Sequence, residues 1–194
     1  ICKNDFVFIF VGRLVGDKGI NELVRAFSHL TLSSIEAENI LTTGGLKLLL
    51  VGPLESQLDP LQPETLEAIV HNKNIISVGF QAEVRSYFAI ADCLVFPSYR
   101  EGFPNVVLQA GAMGLPSIVT DINGCNEIII NEKNGLIIPV QDEVVLCKTM
   151  RKIVEDSILH TNLISNSREM IVSRYEQQVV WESVFDQYIK LTQN

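Results

Sequence analysis

A loop that begins at Gly12 places two cations in a setting suited to bind an anion. Arg13 and Lys18 lie five positions apart between glycines, after an apolar run and just before a helical pattern. Such a loop can offer a guanidinium fork, an ammonium group and backbone N–H groups to one anion. The alternative is that both side chains are ordinary exposed charges. Their position at the end of a predicted strand favours the anion site.

A second loop combines a carboxylate with the start of a helix. Pro104 suits the first helical turn, where its missing N–H is no loss, so the neighbouring N–H groups would face an anion or a hydroxyl. Gly102 allows close approach of the backbone to a ligand, and Glu101 offers its carboxylate to hydroxyls. The alternative for Glu101 is favourable placement beside a helix dipole. Asn105 and Gln109, four positions apart, share a helix face.

Several chemistries lack their sequence signatures. The chain contains no G-x-x-x-x-G-K-[ST], no G-x-G-x-x-G and no G-x-S-x-G, and it has no D-x-D pair for a divalent metal. We therefore expect no metal cofactor. Two residue types that often carry chemistry are scattered: the histidines fall on predicted helices, and we expect the cysteines to be buried thiols in a reducing compartment. These residues are His29, His71, His160, Cys2, Cys93, Cys125 and Cys147.

Composition narrows the class of protein further. The 194 residues are 47% hydrophobic, which is enough for a sizeable core, and we expect one domain over 1–194. Fifteen basic and 23 acidic side chains give a net charge of −8, so nucleic acid is not an expected partner. No apolar run approaches the roughly 20 residues that cross a membrane, and we expect a cytoplasmic chain. Because it begins at Ile1 and enters a strand almost at once, we expect it to belong to a longer polypeptide.

Six short apolar runs alternate with helical patterns. Unbroken runs such as Phe6–Val11 are typical of strands buried on both faces of a parallel sheet. The pattern predicts an α/β fold with a Rossmann-like doubly wound parallel sheet, followed by helices over about 142–194. The last two of these helices are expected near Asn162–Tyr175 and Gln178–Leu191. A polar loop is expected from Leu32 to Gly45. The predicted strands are Phe6–Val11, Leu46–Val51, Ile75–Val78, Cys93–Phe96, Ser117–Val119 and Gly135–Ile138.

Three motifs, in order and at successive strand ends, resemble the C-terminal, donor-binding half of GT-B retaining glycosyltransferases of family four, known as glycosyl transferases group one. They are V-G-R-L-V-G-D-K-G-I at Val11–Ile20, S-Y-R-E-G-F-P-N-V-V-L-Q-A-G-A-M-G-L-P at Ser98–Pro116, and N-G-C-N-E-I-I at Asn123–Ile129. The resemblance covers nearly the whole chain. It implies transfer of a sugar from a nucleotide diphosphate sugar to a hydroxyl, in the synthesis of a cell-surface polysaccharide or glycolipid.

The resemblance also implies roles for individual residues. Arg13 and Lys18 would hold the diphosphate of the donor beside Gly12, and with Glu101 they are the expected catalytic residues. Glu101 and the following backbone would hold the sugar and its phosphate. That backbone segment consists of Gly102, Phe103, Pro104, Asn105 and Val106.

Three further positions are expected around the same cleft. Phe80 lies in the segment near which the family places the nucleotide base. Gln109 stands where the family has a glutamate that binds the ribose, and an amide there loses the charge assistance of a carboxylate. Glu127 would either contact the ligand or cap a helix. The departure at Gln109 keeps a rival open: a non-catalytic module that binds nucleotide sugars with a decayed active site. The presence of Arg13, Lys18 and Glu101 argues against that rival.

Family members carry an N-terminal domain that binds the acceptor, and we expect this chain not to transfer sugar without it. Any membrane association would come through that half. An apolar stripe at helical spacing near the end of the chain resembles the family's terminal helix, which packs across the interdomain region. The alternative is that this stripe only covers the sheet of this domain. The stripe consists of Trp181, Val184, Phe185, Tyr188 and Leu191.

Overall fold

Six parallel strands form one sheet in the computed structural model, which describes residues 1–36, 44–57 and 59–192. Their order across the sheet is β3-β2-β1-β4-β5-β6, as expected for a doubly wound fold. The strands are β1 (Phe6–Val11), β2 (Leu46–Val51), β3 (Ile75–Ser77), β4 (Cys93–Phe96), β5 (Ser117–Thr120) and β6 (Gly135–Ile138). The predicted fold class and the six strands are confirmed, with ends shifted by at most one residue.

The position of the site follows from the strand order. β1 pairs along its whole length with β2, from Phe6 opposite Leu46 to Val11 opposite Val51, and on its other side with β4. The direction of winding therefore reverses between β1 and β4. Ligands of open parallel sheets bind in the crevice beyond the carboxyl ends of strands at such a point. The loops after β1 and β4 are the two that carry the predicted chemistry.

Helices cover both faces of this sheet. They are α1 (Ile20–Glu36), α2 (Pro63–His71), α3 (Arg85–Phe88), α4 (Asn105–Ala112), α5 (Cys125–Ile128), α6 (Glu143–Glu155), α7 (Ser157–Tyr175) and α8 (Gln177–Thr192), with a 3₁₀ turn at Gly16–Lys18. α6 packs on α1, and α7 packs on α4. Gly111 brings α4 and α7 close together, because a Cβ on Gly111 would lie 2.5 Å from Cγ1 of Ile171.

Three predicted boundaries are wrong. The loop expected from Leu32 is helical as far as Glu36, since no glycine or proline interrupts α1; residues 37–43 lie outside the described part. Pro104 precedes α4 instead of opening it, with φ −78° and ψ 101°. α7 begins at Ser157, because the Asp156 carboxylate accepts a hydrogen bond from the Leu159 N–H at 2.8 Å and caps the helix.

The terminal helix α8 exposes its apolar stripe. Its side chains Trp181, Phe185 and Tyr188 are each more than 60% exposed, and none of the residues of α8 is buried. The alternative that this stripe covers the sheet is therefore wrong. Among the described residues, no helix has the length and apolar character required to cross a membrane.

The four cysteines differ in their burial. Cys93 and Cys125 are buried, and burial raises the pKa of both thiols. Cys2 is exposed and Cys147 is half-buried, so the expectation of four buried thiols is wrong for these two. Cys2 lies ahead of β1, where the sheet does not cover it.

Candidate functional site

The loops after β1 and β4 are joined through their backbones. Gly19 ends the 3₁₀ turn with φ 70°, and a Cβ there would lie 2.2 Å from the Pro97 carbonyl oxygen. Only glycine combines that conformation with that approach. Next to it, the Tyr99 N–H donates to the Asp17 carbonyl oxygen at 2.9 Å. The side chains that precede Gly19 and follow Pro97 are thereby brought together.

Two of the three expected catalytic residues are in direct contact at this junction. Lys18 Nζ lies 2.5 Å from Oε1 of Glu101, and the two side chains are 15% and 17% exposed. The hydroxyl of Ser98 donates to the same carboxylate oxygen at 2.8 Å. A largely buried ion pair with a further donor is well fixed in place. The alternative that Lys18 is an ordinary exposed charge is wrong.

Arg13 reaches a different carboxylate. Its Nη1 atom lies 3.1 Å from Oε2 of Glu55, and the Arg13 side chain is 48% exposed. Glu55 belongs to the loop after β2, which places a third loop at the same edge of the sheet. Arg13 therefore stands at the open side of the site, while Lys18 lies deeper.

In the loop after β1, four backbone N–H groups already donate hydrogen bonds within the protein. Asp59 accepts hydrogen bonds from two of its N–H groups, that of Asp17 through Oδ2 at 2.5 Å and that of Gly16 through its carbonyl oxygen at 3.1 Å. The N–H groups of Lys18 and Gly19 donate within the turn at 3.3 and 2.9 Å. Our expectation that this backbone serves an anion is wrong for these four groups. The loop offers the Arg13 and Lys18 side chains.

The second loop offers backbone donors. Within the part of the chain that the structure describes, the N–H groups of Gly102, Phe103, Asn105 and Val106 have no hydrogen-bond acceptor, as is usual before and within the first turn of a helix. The positive end of the α4 dipole lies at the same place. The arrangement suits an anionic or hydroxyl-bearing group.

The third motif supports the second loop from behind. Gly124 has φ 77°, and a Cβ there would lie 2.4 Å from the Gly102 carbonyl oxygen. The Glu127 carboxylate accepts from the Gly124 N–H at 3.3 Å, which is a helix-capping contact. Of the two alternatives for Glu127, ligand contact and helix capping, the structure supports helix capping.

Other expected site residues lie around this centre. Phe80 follows Gly79 beyond β3 and is 72% exposed, and the Gly79 carbonyl oxygen accepts from the Gly52 N–H at 2.9 Å. Gln109 is exposed on α4, one turn after Asn105. Gly12 directly follows β1, and Pro104 is buried. The expected contacts of these residues with a ligand stay predictions.

Sequence reasoning missed Glu55, Asp59, Ser98 and Cys125. Ser98 could have been found, since a serine three positions before a glutamate is a spacing that allows their side chains to meet.

Burial, followed by the nearby Glu101 carboxylate, raises the pKa of the Cys125 thiol to about 12, while Lys18 opposes this shift. Among the described residues, no group of three or more His, Cys, Asp or Glu side chains could hold a metal ion.

Comparison with known protein families shows to which family the chain belongs. The profile of the family described as "Glycosyl transferases group 1" matches residues 1–170, which include both loops and the Gly124 turn. The chain belongs to the glycosyl transferases group 1 family. The capsular polysaccharide biosynthesis glycosyltransferase CapM of Staphylococcus aureus is 27% identical over 188 residues, covering 97% of this chain and 47% of that protein.

Further relatives of this group 1 domain show the same coverage. An Escherichia coli UDP-Gal:alpha-D-GlcNAc-diphosphoundecaprenol alpha-1,3-galactosyltransferase is 27% identical over 193 residues, or 99% of this chain and 47% of that protein. A structure of Anabaena Alr3699/HepE in complex with UDP-glucose superposes with a TM-score of 0.79 and 20% identity, covering 96% of this chain and 49% of that one. The group 1 domain thus spans about half the length of these relatives.

Proposed function

We propose that this group 1 domain is the donor-binding half of a retaining glycosyltransferase that moves a sugar from a nucleotide diphosphate sugar to an acceptor hydroxyl. The observation that carries the proposal is the contact of Lys18 with Glu101 at the carboxyl edge of the sheet. A cation for a diphosphate and a carboxylate for sugar hydroxyls stand side by side there, next to the open N–H groups ahead of α4. A nucleotide sugar carries both groups within one molecule.

Lys18 and Arg13 are proposed to stabilise the negative charge that grows on the departing diphosphate. An ammonium group has three donors, so Lys18 can keep its bond to Glu101 and still donate to phosphate oxygens. Arg13 has an exposed partner in Glu55, and such pairs contribute only about 0–1 kcal/mol, so a diphosphate oxygen can replace that carboxylate. Preorganised charge of this kind lowers a barrier by several kcal/mol.

Glu101 and the start of α4 are proposed to hold the transferred sugar and its phosphate. The N–H groups of Gly102, Phe103, Asn105 and Val106 would donate to phosphate and sugar oxygens, with Pro104 shaping the turn. Phe80 would lie near the base and Gln109 near the ribose. The catalytic residues of this proposal are Arg13, Lys18 and Glu101.

The class of donor and the setting are proposed from the relatives. UDP-galactose is named for the Escherichia coli relative and UDP-glucose for the Anabaena structure, so a UDP-sugar is the first donor to test. CapM belongs to capsule synthesis, which favours a role in building a cell-surface polysaccharide or glycolipid. Arg13 and Lys18 would supply two positive charges to the phosphates, and we propose for this reason that binding requires no metal.

The partner of this half is proposed to be an acceptor-binding half. The curated relatives are about twice as long, and the exposed stripe on α8 is an apolar face of the kind that covers a neighbouring domain. Trp181, Phe185 and Tyr188 would contact that half. We expect the 194-residue chain to bind donor without transferring sugar.

Titration of the chain by calorimetry with UDP, GDP, ADP and their glucose and galactose conjugates tests this proposal. Binding of one nucleoside diphosphate in the micromolar to low millimolar range is expected, and binding of none would overturn the donor-binding role. The variant Lys152→Ala is a control for Lys18→Ala, because Lys152 also pairs with a glutamate, Glu132 at 2.8 Å, but on α6. Loss of affinity is expected in Lys18→Ala alone.

A further inference from the structure

We propose that Ser98 is a positioning residue that fixes the Glu101 carboxylate so that its Oε2 atom is left to accept hydrogen bonds from the donor sugar. The proposal rests on the function proposed above. Ser98 is not part of any ligand contact expected from the sequence, and it is fully buried behind the loop that precedes α4.

The Ser98 hydroxyl can donate one hydrogen bond, and three acceptor oxygens lie within reach. Glu101 Oε1 lies at 2.8 Å, the Arg100 carbonyl oxygen at 3.2 Å and the Asp17 carbonyl oxygen at 3.5 Å. The carboxylate is both the nearest acceptor and the charged one, so the proton is donated there. A hydrogen bond to a charged group in a buried position is among the stronger ones.

Both donors to the carboxylate act on the same oxygen. Lys18 Nζ and Ser98 Oγ each contact Oε1 of Glu101, while no donor among the described residues reaches Oε2. A single contact would let the carboxylate turn about its terminal bond, and two donors from different loops restrict that rotation. One oxygen is thereby occupied and the other is presented in a fixed direction, which lowers the entropy lost on binding a sugar.

Ser98 is itself held by a neighbouring strand. The Thr120 hydroxyl, 1% exposed at the end of β5, donates to the Ser98 carbonyl oxygen. On the other side of Ser98, the Tyr99 N–H bonds to the Asp17 carbonyl oxygen of the first loop. The Ser98 hydroxyl is thus fixed by the rigid edge of the sheet and not by the mobile atoms of a ligand.

A positioning role of Ser98 affects the binding of the sugar but not that of the diphosphate, whereas a general loss of structure would weaken both. Ser98 acts on Glu101, which is proposed to touch the sugar, whereas the nucleoside diphosphate is held by Arg13, Lys18 and the start of α4. Loss of the Ser98 hydroxyl should therefore weaken the binding of a nucleotide sugar much more than that of its nucleoside diphosphate. An altered fold would weaken both alike.

The test compares Ser98→Ala with Ser117→Ala in the 194-residue chain. Ser117 is also a fully buried serine, but it lies at the opposite, amino-terminal end of β5, and its hydroxyl has no hydrogen-bond partner among the described residues. Each variant and the wild type are titrated by calorimetry with UDP, UDP-glucose and UDP-galactose. Thr120→Val, which preserves shape and removes the donor to Ser98, provides a second variant should Ser98→Ala fold poorly.

The expected result is a loss of about five- to twentyfold in affinity for the UDP-sugar that the wild type binds, with UDP affinity changed less than about twofold. Thr120→Val should shift affinity in the same direction by a smaller factor, and Ser117→Ala should change neither affinity. Equal losses for UDP and UDP-sugar, or no loss for either, would overturn the role of Ser98. Failure of the wild type to bind any of the three ligands would instead refute the proposed function at its first step, and this inference with it.

Discussion

Gly124 lies so close to Gly102 that a Cβ on Gly124 would be 2.4 Å from the Gly102 carbonyl oxygen. The contact joins the turn before α5 to the loop that precedes α4, across 22 positions of sequence. It explains why a glycine in the third motif matters to the second, since any side chain there would displace the backbone that we propose to contact the donor.

Gly124→Ala should therefore destabilise the chain and weaken nucleotide binding. Gly114→Ala is the matched control, because Gly114 also has a positive φ, 82°, but apart from its chain neighbours no described residue lies within 4 Å of its Cβ position. The strained backbone alone should cost about 1 kcal/mol in either variant, and the clash should add roughly 1–3 kcal/mol in Gly124→Ala. Denaturant unfolding measures both. Equal losses in the two variants would show that the loop yields to the added methyl group.

Arg13→Ala should weaken binding of a nucleoside diphosphate by about 1.5–3 kcal/mol, the range for hydrogen bonds to charged groups. Arg85 serves as the comparison, since it too is an exposed arginine paired with a nearby glutamate, Glu83, but lies on α3. Arg85→Ala should leave the affinity unchanged. Calorimetry on both variants, with Lys18→Ala alongside, decides the assignment. Full affinity in both Arg13→Ala and Lys18→Ala would contradict a diphosphate at this position.

The fold could be predicted because its signals are local. Runs such as Phe6–Val11 are apolar without alternation, and a strand buried on both faces of a sheet requires that composition. The site was predictable only in part, because its geometry depends on partners far along the chain. Asp59 accepts a hydrogen bond from the Asp17 N–H, and Glu55 pairs with Arg13; each pair is separated by 42 positions of sequence. No local sequence pattern indicates which carboxylate of a distant loop will contact the residues of the site.

Donor binding should be independent of divalent cations. Arg13 and Lys18 are proposed to supply positive charge for the phosphates, and a metal ion would add a further charge without evident ligands among the described residues. Titrations in the presence of a chelator, and then with magnesium or manganese restored, should give the same affinity within about twofold. Affinity that disappears with the chelator and returns with the metal would show that this account of the phosphate site is wrong.

Stability should depend on pH through Asp92, which precedes β4. Burial raises the pKa of this carboxyl above its usual 3.8, against the opposing effects of the Val7 N–H, which donates to it at 2.7 Å, and of the nearby His160 ring. The folded chain thus retains this proton at a higher pH than the unfolded chain. The resulting penalty is fully present above the raised pKa and is absent below about 3.8.

The variant Asp92→Asn isolates this effect, because an amide oxygen can still accept from Val7 but does not ionise. Relative to the wild type, the variant should be more stable at neutral pH, and its advantage should shrink as the pH falls through the raised pKa. Unfolding by urea across that range measures the difference. An advantage that stays constant with pH would exclude ionisation of Asp92 as the cause.

Gln109 stands where the resemblance to the family implies a glutamate, and we expect its replacement to have a modest effect on nucleotide binding. It lies one turn into α4, exposed, beyond the N–H groups proposed to hold phosphate. A neutral hydrogen bond from an amide to a ribose contributes roughly 0.5–1.5 kcal/mol, against about 1.5–3 for a carboxylate. A carboxylate would also be repelled by the nearby diphosphate, so the two effects partly cancel.

Gln109→Glu should therefore change nucleotide affinity by less than about tenfold, which corresponds to 1.4 kcal/mol, whereas Gln109→Ala should weaken it measurably. Met113, one turn further along and also exposed, gives a control in Met113→Ala, which should have no effect. Titrating the wild type and the three variants with the same nucleotide distinguishes the outcomes. An unaffected Gln109→Ala would show that this side chain does not touch the ribose. A gain well above tenfold in Gln109→Glu would mean that the wild-type site has lost a binding group, and would favour a non-catalytic nucleotide-sugar-binding module over an enzyme.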